Sequence, residues 1–345
     1  MRIGLSILTA VLLLYLPGCG GQPPMPETPA VEIVWPEPPA TPRIRYVRSF
    51  SGPHDLGITK SLFRRIIEVI IGKTEEFLIR PTGVIEHNGT LYVADPGAQA
   101  LWIFKVSERR FVKIQRAGEV TLISPVDVVA KTDGEVFVAD SWNKKIYLID
   151  EEGKRAREFI ANGLERPVAL AYDATARQLY VADSGAHRVG VYDANGKRIR
   201  TIGRRGNAHG EFNYPTHLEL EHTGTLLVTD ALNYRIQAFD RHGKFLWKLG
   251  RHGDGSGDVA SPKGVAVDSQ GHVYVVDALF DAVQIFEPNG TFLLGFGSRG
   301  SARGQFWLPS GIFIDPHDRI YVADAYNQRI QVFEFIATQR ETGSK

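Results

Sequence analysis

The chain has 345 residues, a formal net charge of +1, 43% hydrophobic and 23% charged residues. This is the composition of a folded protein, and it excludes a partner chosen by bulk charge, nucleic acid above all. A single cysteine excludes any internal disulfide.

Residues 1–18 read as an export signal, with Arg2 ahead of the apolar run "IGLSILTAVLLLYL", too short for a comfortable transmembrane helix. "LPGC", Leu16 to Cys19, resembles the lipobox of bacterial lipoproteins, which are cut before the Cys and lipidated on its sulfur. The resemblance implies a membrane anchor at Cys19. An ordinary secretory signal with an incidental Cys is the alternative. In Gram-negative lipoproteins an Asp after the Cys commonly signals inner-membrane retention, so Gly20 implies the outer membrane, facing periplasm or surface. Residues 19–42 hold eight of the nineteen prolines. They predict an extended polyproline tether of several tens of ångströms, at ~3.1 Å per residue.

The folded body is predicted over 43–335, with a tail at 336–345. It opens with "RIRYVRSFSG", Arg43 to Gly52, which reads as a lone strand. Next, Leu62, Phe63, Ile66, Ile67 and Ile70 recur at helical spacing opposite Arg64, Arg65 and Glu68. They predict a short helix over 60–71, packed on the body as a partial lid or free to dock a partner or membrane.

From there the chain repeats. "LYVAD", "VFVAD", "LYVAD", "LLVTD", "VYVVD" and "IYVAD" end at Asp95, Asp140, Asp183, Asp230, Asp277 and Asp324, with spacings of 45, 43, 47, 47 and 47. A proline stands 14–16 residues before each Asp. Within a repeat, four short runs rich in β-branched and aromatic residues are separated by turns such as "DANG" and "EPNG". Four strands repeated six times predict an all-β fold, a six-bladed β-propeller that is monomeric. The last repeat lacks its fourth strand, and the lone strand at 43–52 has no blade. Pairing the two closes the ring and removes open edges. "VAD" followed by "NYRIQ" or "NQRIQ" resembles the NHL repeat. That resemblance implies a six-bladed propeller acting as a binding platform, in bacteria often exported.

The six Asp residues recur in every blade, which favours a structural role, accepting turn N–H bonds. Five positions on, Lys145, Arg188, Arg235 and Arg329 predict local ion pairs with their Asp. The innermost strands carry Gly83, Asp127, Ala169, His217, Gly264 and Gly311 two positions after each proline. Similar propeller enzymes hold a metal at channel positions with three His, or with Glu, Asn and Asp. Here only Asp127 and His217 bear ligand atoms, fewer than the three protein ligands of a catalytic zinc site. We therefore expect no metal, no cofactor and no catalytic residue; if the chain is an enzyme, Asp127 and His217 are the candidates.

The loops after second and fourth strands share one face. They carry Trp142, Tyr234, Phe280 and Tyr326, together with Arg204, Arg205, Arg251, Arg299 and Arg303. Aromatics interleaved with arginine are the composition of binding hot spots. The alternative is that Phe212, Phe306 and Trp307 fill gaps between blades while the arginines are merely solvated. The sequence thus predicts an exported, anchored, non-enzymatic platform for a protein partner. The family resemblance makes a multihaem cytochrome one candidate. A metal-dependent lactonase or lyase, or a small-ligand or glycan receptor, are the competing readings. Export argues against nucleic acid, although some NHL propellers bind RNA.

Overall fold

The second strand of every repeat is apolar at nearly every position, as a strand covered on both faces must be. Its valine two residues before the Asp (Val93, Val138, Val181, Val228, Val275 and Val322) is fully buried in all six copies. The computed structural model describes residues 32–58, 76–132 and 134–336. Cys19, the signal segment, most of the tether, the helix expected at 60–71 and the tail beyond Ile336 lie outside the described residues.

Five four-stranded antiparallel meanders follow one another at 83–114, 125–160, 167–202, 215–249 and 262–296, numbered here blades 1 to 5. Blade 6 contributes Ile312–Ile314, Arg319–Asp324 and Arg329–Phe335, and its fourth strand is Ile44–Phe50, antiparallel to the last strand of the chain with Ile44 opposite Phe335 and Phe50 opposite Ile330. Helix among the described residues is confined to three short 3-10 turns.

The apolar core is divided among the seams between blades. Phe50 of blade 6 packs with Trp102 and Phe104 of blade 1, and Ile44 packs with Phe296, Phe306 and Phe333 between blades 5 and 6. The remaining seams repeat the arrangement with their own clusters. Each buried aromatic or branched side chain stabilises its seam by about 1.5–3 kcal/mol.

The folded body extends further toward the N-terminus than the boundary at 43. Val34–Trp35 adds a fifth strand to blade 6, pairing with Arg45 and Ile44. The Trp35 ring lies 5.8 Å from both Phe296 and Phe333. A bulky aromatic beside an open sheet edge outweighs the proline content of its surroundings, so the tether expected over 19–42 ends before Ile33.

Candidate interaction face

Each repeat Asp is a staple. Its carboxylate, fully buried at the end of the second strand, accepts main-chain N–H groups from the loop that enters the same blade. Asp95 takes Ile79 and Arg80 at 2.7 and 2.9 Å, Asp277 takes Ala260 and Ser261 at 2.7 and 3.1 Å, and Asp324 takes Trp307 at 2.9 Å. These bonds reach 15 to 17 residues back along the chain, and they hold the second-strand turns and the inter-blade loops on one face. Burial raises the carboxyl pKa of Asp230 and Asp324, opposed by the donated N–H bonds and by the neighbouring Arg. Arg188, Arg235 and Arg329 pair with Asp183, Asp230 and Asp324, at 3.3, 2.8 and 2.8 Å. Lys145 departs from the expectation: its shorter side chain turns outward to Glu158 rather than back to Asp140.

Three inter-blade loops, at 203–212, 250–259 and 297–306, are built alike. Phe212, Val259 and Phe306 plug the seams, each fully buried and bridged to Arg205, His252 and Arg299 of its own loop. A buried glutamine in the next blade reads both sides of each loop. Gln331 accepts from Gly304 N at 3.0 Å and donates to Gln305 O at 2.6 Å, and Gln237 and Gln284 repeat the pattern. The Arg235 guanidinium caps the carbonyls of Asn207, Ala208 and Glu211, and Arg329 does the same for Ser301, Ala302 and Gln305. Blade 5 has Ala282 at this position, so its loop has only the glutamine. Two of the three loops are thus clamped by both an arginine and a glutamine, and the third by a glutamine.

The predicted site residues divide on this scaffold. Trp142 is 74% exposed and Tyr326 49%, whereas Tyr234 and Phe280 are half-buried. Tyr234 sits in the left-handed conformation that ends its turn and packs on His252, ring centres 4.0 Å apart. The position that points outward is two residues after the Asp. Leu232 and Leu279 stand there at 50% and 67% exposure, alongside Trp142 and Tyr326. Comparing the six copies at that offset reveals them, because the two remaining copies are Gly97 and Gly185. Trp307, expected among the gap-fillers, is exposed and leans on Tyr326 at 5.6 Å.

The arginines also divide. Arg204 pairs with Glu211 at 2.9 Å, Arg251 with Asp258 at 2.5 Å, and Arg299 reaches Asp281 only at 4.0 Å. Among the described residues, Arg205 and Arg303 have no ion pair, and both are exposed. Exposed large hydrophobic side chains concentrate here too. Of thirteen among the described residues, nine lie on this face: the four in the second-strand turns, with Phe77, Ile79, Tyr214, Trp307 and Leu308 in the inter-blade loops. The other four are on outermost strands, and none is in the turns of the opposite face.

In the channel the inner strands of blades 5, 6 and 1 touch main chain to main chain. Gly264 N donates to Ser310 O at 3.0 Å. A Cβ at Gly83 would meet Asp127 Oδ1 at 2.6 Å, and one at Gly311 would collide with the Thr82 carbonyl, which explains the glycines. Asp127 accepts from Leu170 N at 2.8 Å, and desolvation, only partly offset by the N–H bonds of Leu170 and Val128, raises its pKa to about 7. Desolvation lowers the His217 pKa to about 4, opposed in part by the main chain of Ile312. Glu219, missed in the sequence, stands two residues below His217 on the same strand, and desolvation reinforced by Glu221 raises its pKa to about 8. Both side chains are half-buried on the inner strand of blade 4. Among the described residues no three such groups converge as metal ligands.

The model of the NHL repeat matches residues 164–192 and 306–333. A search of curated proteins gave no match. Among solved structures, virginiamycin B lyase from Staphylococcus aureus superposes with a TM-score of 0.56 at 14% identity, covering 75% of this chain and 96% of that one. An auxiliary nutrient binding protein from Bacteroides thetaiotaomicron gives 0.58 at 15% identity, covering 75% and 69%. A protein of the nidogen/laminin complex gives 0.54 at 16%, covering 71% and 86%. At these identities the likeness is one of fold. Sheet topology, repeat matches and superpositions agree that the chain is an all-β, six-bladed β-propeller carrying NHL repeats.

Proposed function

We propose that the chain is an exported, non-enzymatic interaction platform, held at a membrane through a lipidated Cys19, whose stapled face binds an envelope protein. A multihaem cytochrome is one candidate, by family resemblance. The observation that carries this reading is the one-sided distribution of exposed apolar side chains, nine of thirteen among the described residues, on the face that also presents Arg205 and Arg303, which have no ion pair among those residues. An apolar centre with arginine at its edge is the composition of a protein interface, and clamped loops lower the entropy lost on binding. The fold also occurs in a lyase, and a catalytically inactive histidine-to-alanine form of that enzyme has been crystallised with quinupristin. In this chain Asp127 accepts from the main chain of the neighbouring blade, which favours a structural use of it.

Capture of complexes from native membranes with the tagged chain tests the proposal. Arg205→Glu and Arg303→Glu should lose the captured partner, while Lys154→Glu and Lys197→Glu in opposite-face turns should keep it. The reverse pattern would place the interface elsewhere. Labelled fatty acid should enter the wild type and not Cys19→Ala; equal labelling would remove the anchor.

A further inference from the structure

The stapled face contains a hollow at the channel mouth, between blades 5, 6 and 1, of about 340 Å³. Leu279, Leu308, Pro309, Ala325 and Tyr326 form its apolar wall, and Leu279 and Tyr326 are two of the outward side chains described above. Two cations enter it, Arg80 and Lys263. Lys263 follows Pro262 on the inner strand of blade 5 and is half-buried.

Among the described residues, the Lys263 ammonium and the Arg80 guanidinium have no hydrogen bond and no ion pair. Asp277, the acid that acts on Lys263, already accepts main-chain N–H groups from Ala260, Ser261, Leu279 and Phe280. Burial pulls the Lys263 pKa down; Asp277 opposes this, and the like charge of Arg166 adds to it. The polar floor is also engaged. Thr82 Oγ1 donates to Val126 O at 2.7 Å, and Ser310 N donates to Ala323 O at 2.9 Å. A half-buried ammonium beside an apolar wall is costly without a counter-charge, and an anion with a hydrocarbon body would satisfy both.

We propose that this hollow binds an apolar organic carboxylate, with its hydrocarbon against Leu279, Leu308 and Tyr326 and its carboxylate on Lys263 and Arg80. The inference rests on reading this face as the working one, and it deepens that reading. The same chemistry has two sources: the C-terminal residue of a protein partner, or a free fatty acid. The volume suits either, since ligand sites begin near 300 Å³.

The test is calorimetric titration of the chain lacking residues 1–19, which leaves the folded unit whole. Octanoate should bind saturably, while octan-1-ol and octyltrimethylammonium should not. Lys263→Met and Leu279→Ser should each weaken octanoate tenfold or more, Lys263→Arg should retain it, and the opposite-face Lys197→Met should leave it unchanged. Retained circular dichroism melts separate lost binding from lost folding. An acetylated Gly-Ala-Leu peptide with a free carboxylate binding more tightly than octanoate, and its amide not binding, assigns the site to a partner's C-terminus. The opposite order assigns it to a fatty acid. Octanol binding as well as octanoate, no binding of either carboxylate, or an unchanged Lys263→Met would overturn the proposal. None of these titrations uses the protein partner, so their failure is distinct from failure of membrane capture.

Discussion

Truncating Phe50 to Ala should cost the fold about 3–5 kcal/mol, as for other large-to-small changes in packed cores. The Phe50 ring is 1% exposed and meets Phe104 of blade 1 edge-on at 5.8 Å, so the cavity would open in the seam where the two ends of the chain are joined. Ile44, at the other end of the strand, is buried in the neighbouring seam, and Ile44→Ala should cost about 2–5 kcal/mol. Val47 lies between them with its side chain outward, and Val47→Ala should change stability by less than about 0.5 kcal/mol. Removing residues 32–51 deletes Trp35, Ile44 and Phe50 together. At about 2–3 kcal/mol each that is a loss of about 6–9 kcal/mol, comparable with the whole stability of an ordinary domain. Removing only 32–42 should cost about 2–3 kcal/mol, through the half-buried Trp35. Urea unfolding followed by tryptophan fluorescence measures each variant by its midpoint and slope. If Phe50→Ala and Val47→Ala unfolded at the same midpoint, the N-terminal strand would not be closing the ring.

Arg329→Ala should destabilise the ring by about 2–4 kcal/mol and release the loop at 297–306, because it uncovers buried Asp324 and three loop carbonyls; hydrogen exchange at Gly304 and Phe306 would report it, and unchanged protection would refute the clamp. The loop at 250–259, with Ala282 in place of that arginine, should exchange faster than its two counterparts in the wild type. The channel carboxyls set a pH dependence: Asp127 and Glu219 keep their protons in the folded state to about 7 and about 8, so the folded state binds more protons than the unfolded one, and stability should fall as pH rises from about 4 to 8. His217, lowered to about 4, acts in the opposite sense between about 4 and 6.5, so Asp127→Asn with Glu219→Gln should leave stability rising across that window; a decline as steep as the wild type's would count against both assignments. Elemental analysis of the purified chain should find no stoichiometric metal, and one tightly held zinc or calcium lost in His217→Ala would reopen the enzyme reading.

The blade count was legible because each Asp must be buried at the same point of every repeat, and a buried group needed six times leaves a period. The turn N–H bonds and three of the four expected basic partners were legible from the repeat, but that the amides come from the loop 15 to 17 residues upstream was not, since main-chain donors have no side-chain signature. Trp35 was hidden by its surroundings: proline content describes the backbone, while an aromatic can still pack against Phe296 and Phe333. The outward residues of the face were half legible. Aromatic character pointed to Tyr234 and Phe280, but the left-handed turn ending at Tyr234 decides which side chain leaves the surface, and that favours Leu232 and Leu279. The glycines at 83, 264 and 311 looked like absent ligands; neighbouring main chain accounts for Gly264 and Gly311, and the Asp127 carboxylate crowds Gly83. Glu219 gave no sequence signal, because a lone Glu in a strand is ordinary until its depth in the ring is known.

Closure by Ile44–Phe50 also constrains the order in which the molecule can be made. The strand that completes blade 6 leaves the ribosome before any blade exists, and its partner Arg329–Phe335 follows some 280 residues later. At ordinary synthesis rates that interval is roughly 15–55 s, during which five blades can form while the ring stays open at one seam. The seam of blade 1 in particular stays incomplete until Tyr321, Ile330 and Val332 of blade 6 arrive. A chain that is still crossing a membrane, or that is held by a chaperone, loses nothing by this delay. A nascent chain left free in a crowded compartment would present its unpaired sixth-blade edge to its neighbours, and the natural error would be exchange of the N-terminal strand between two copies.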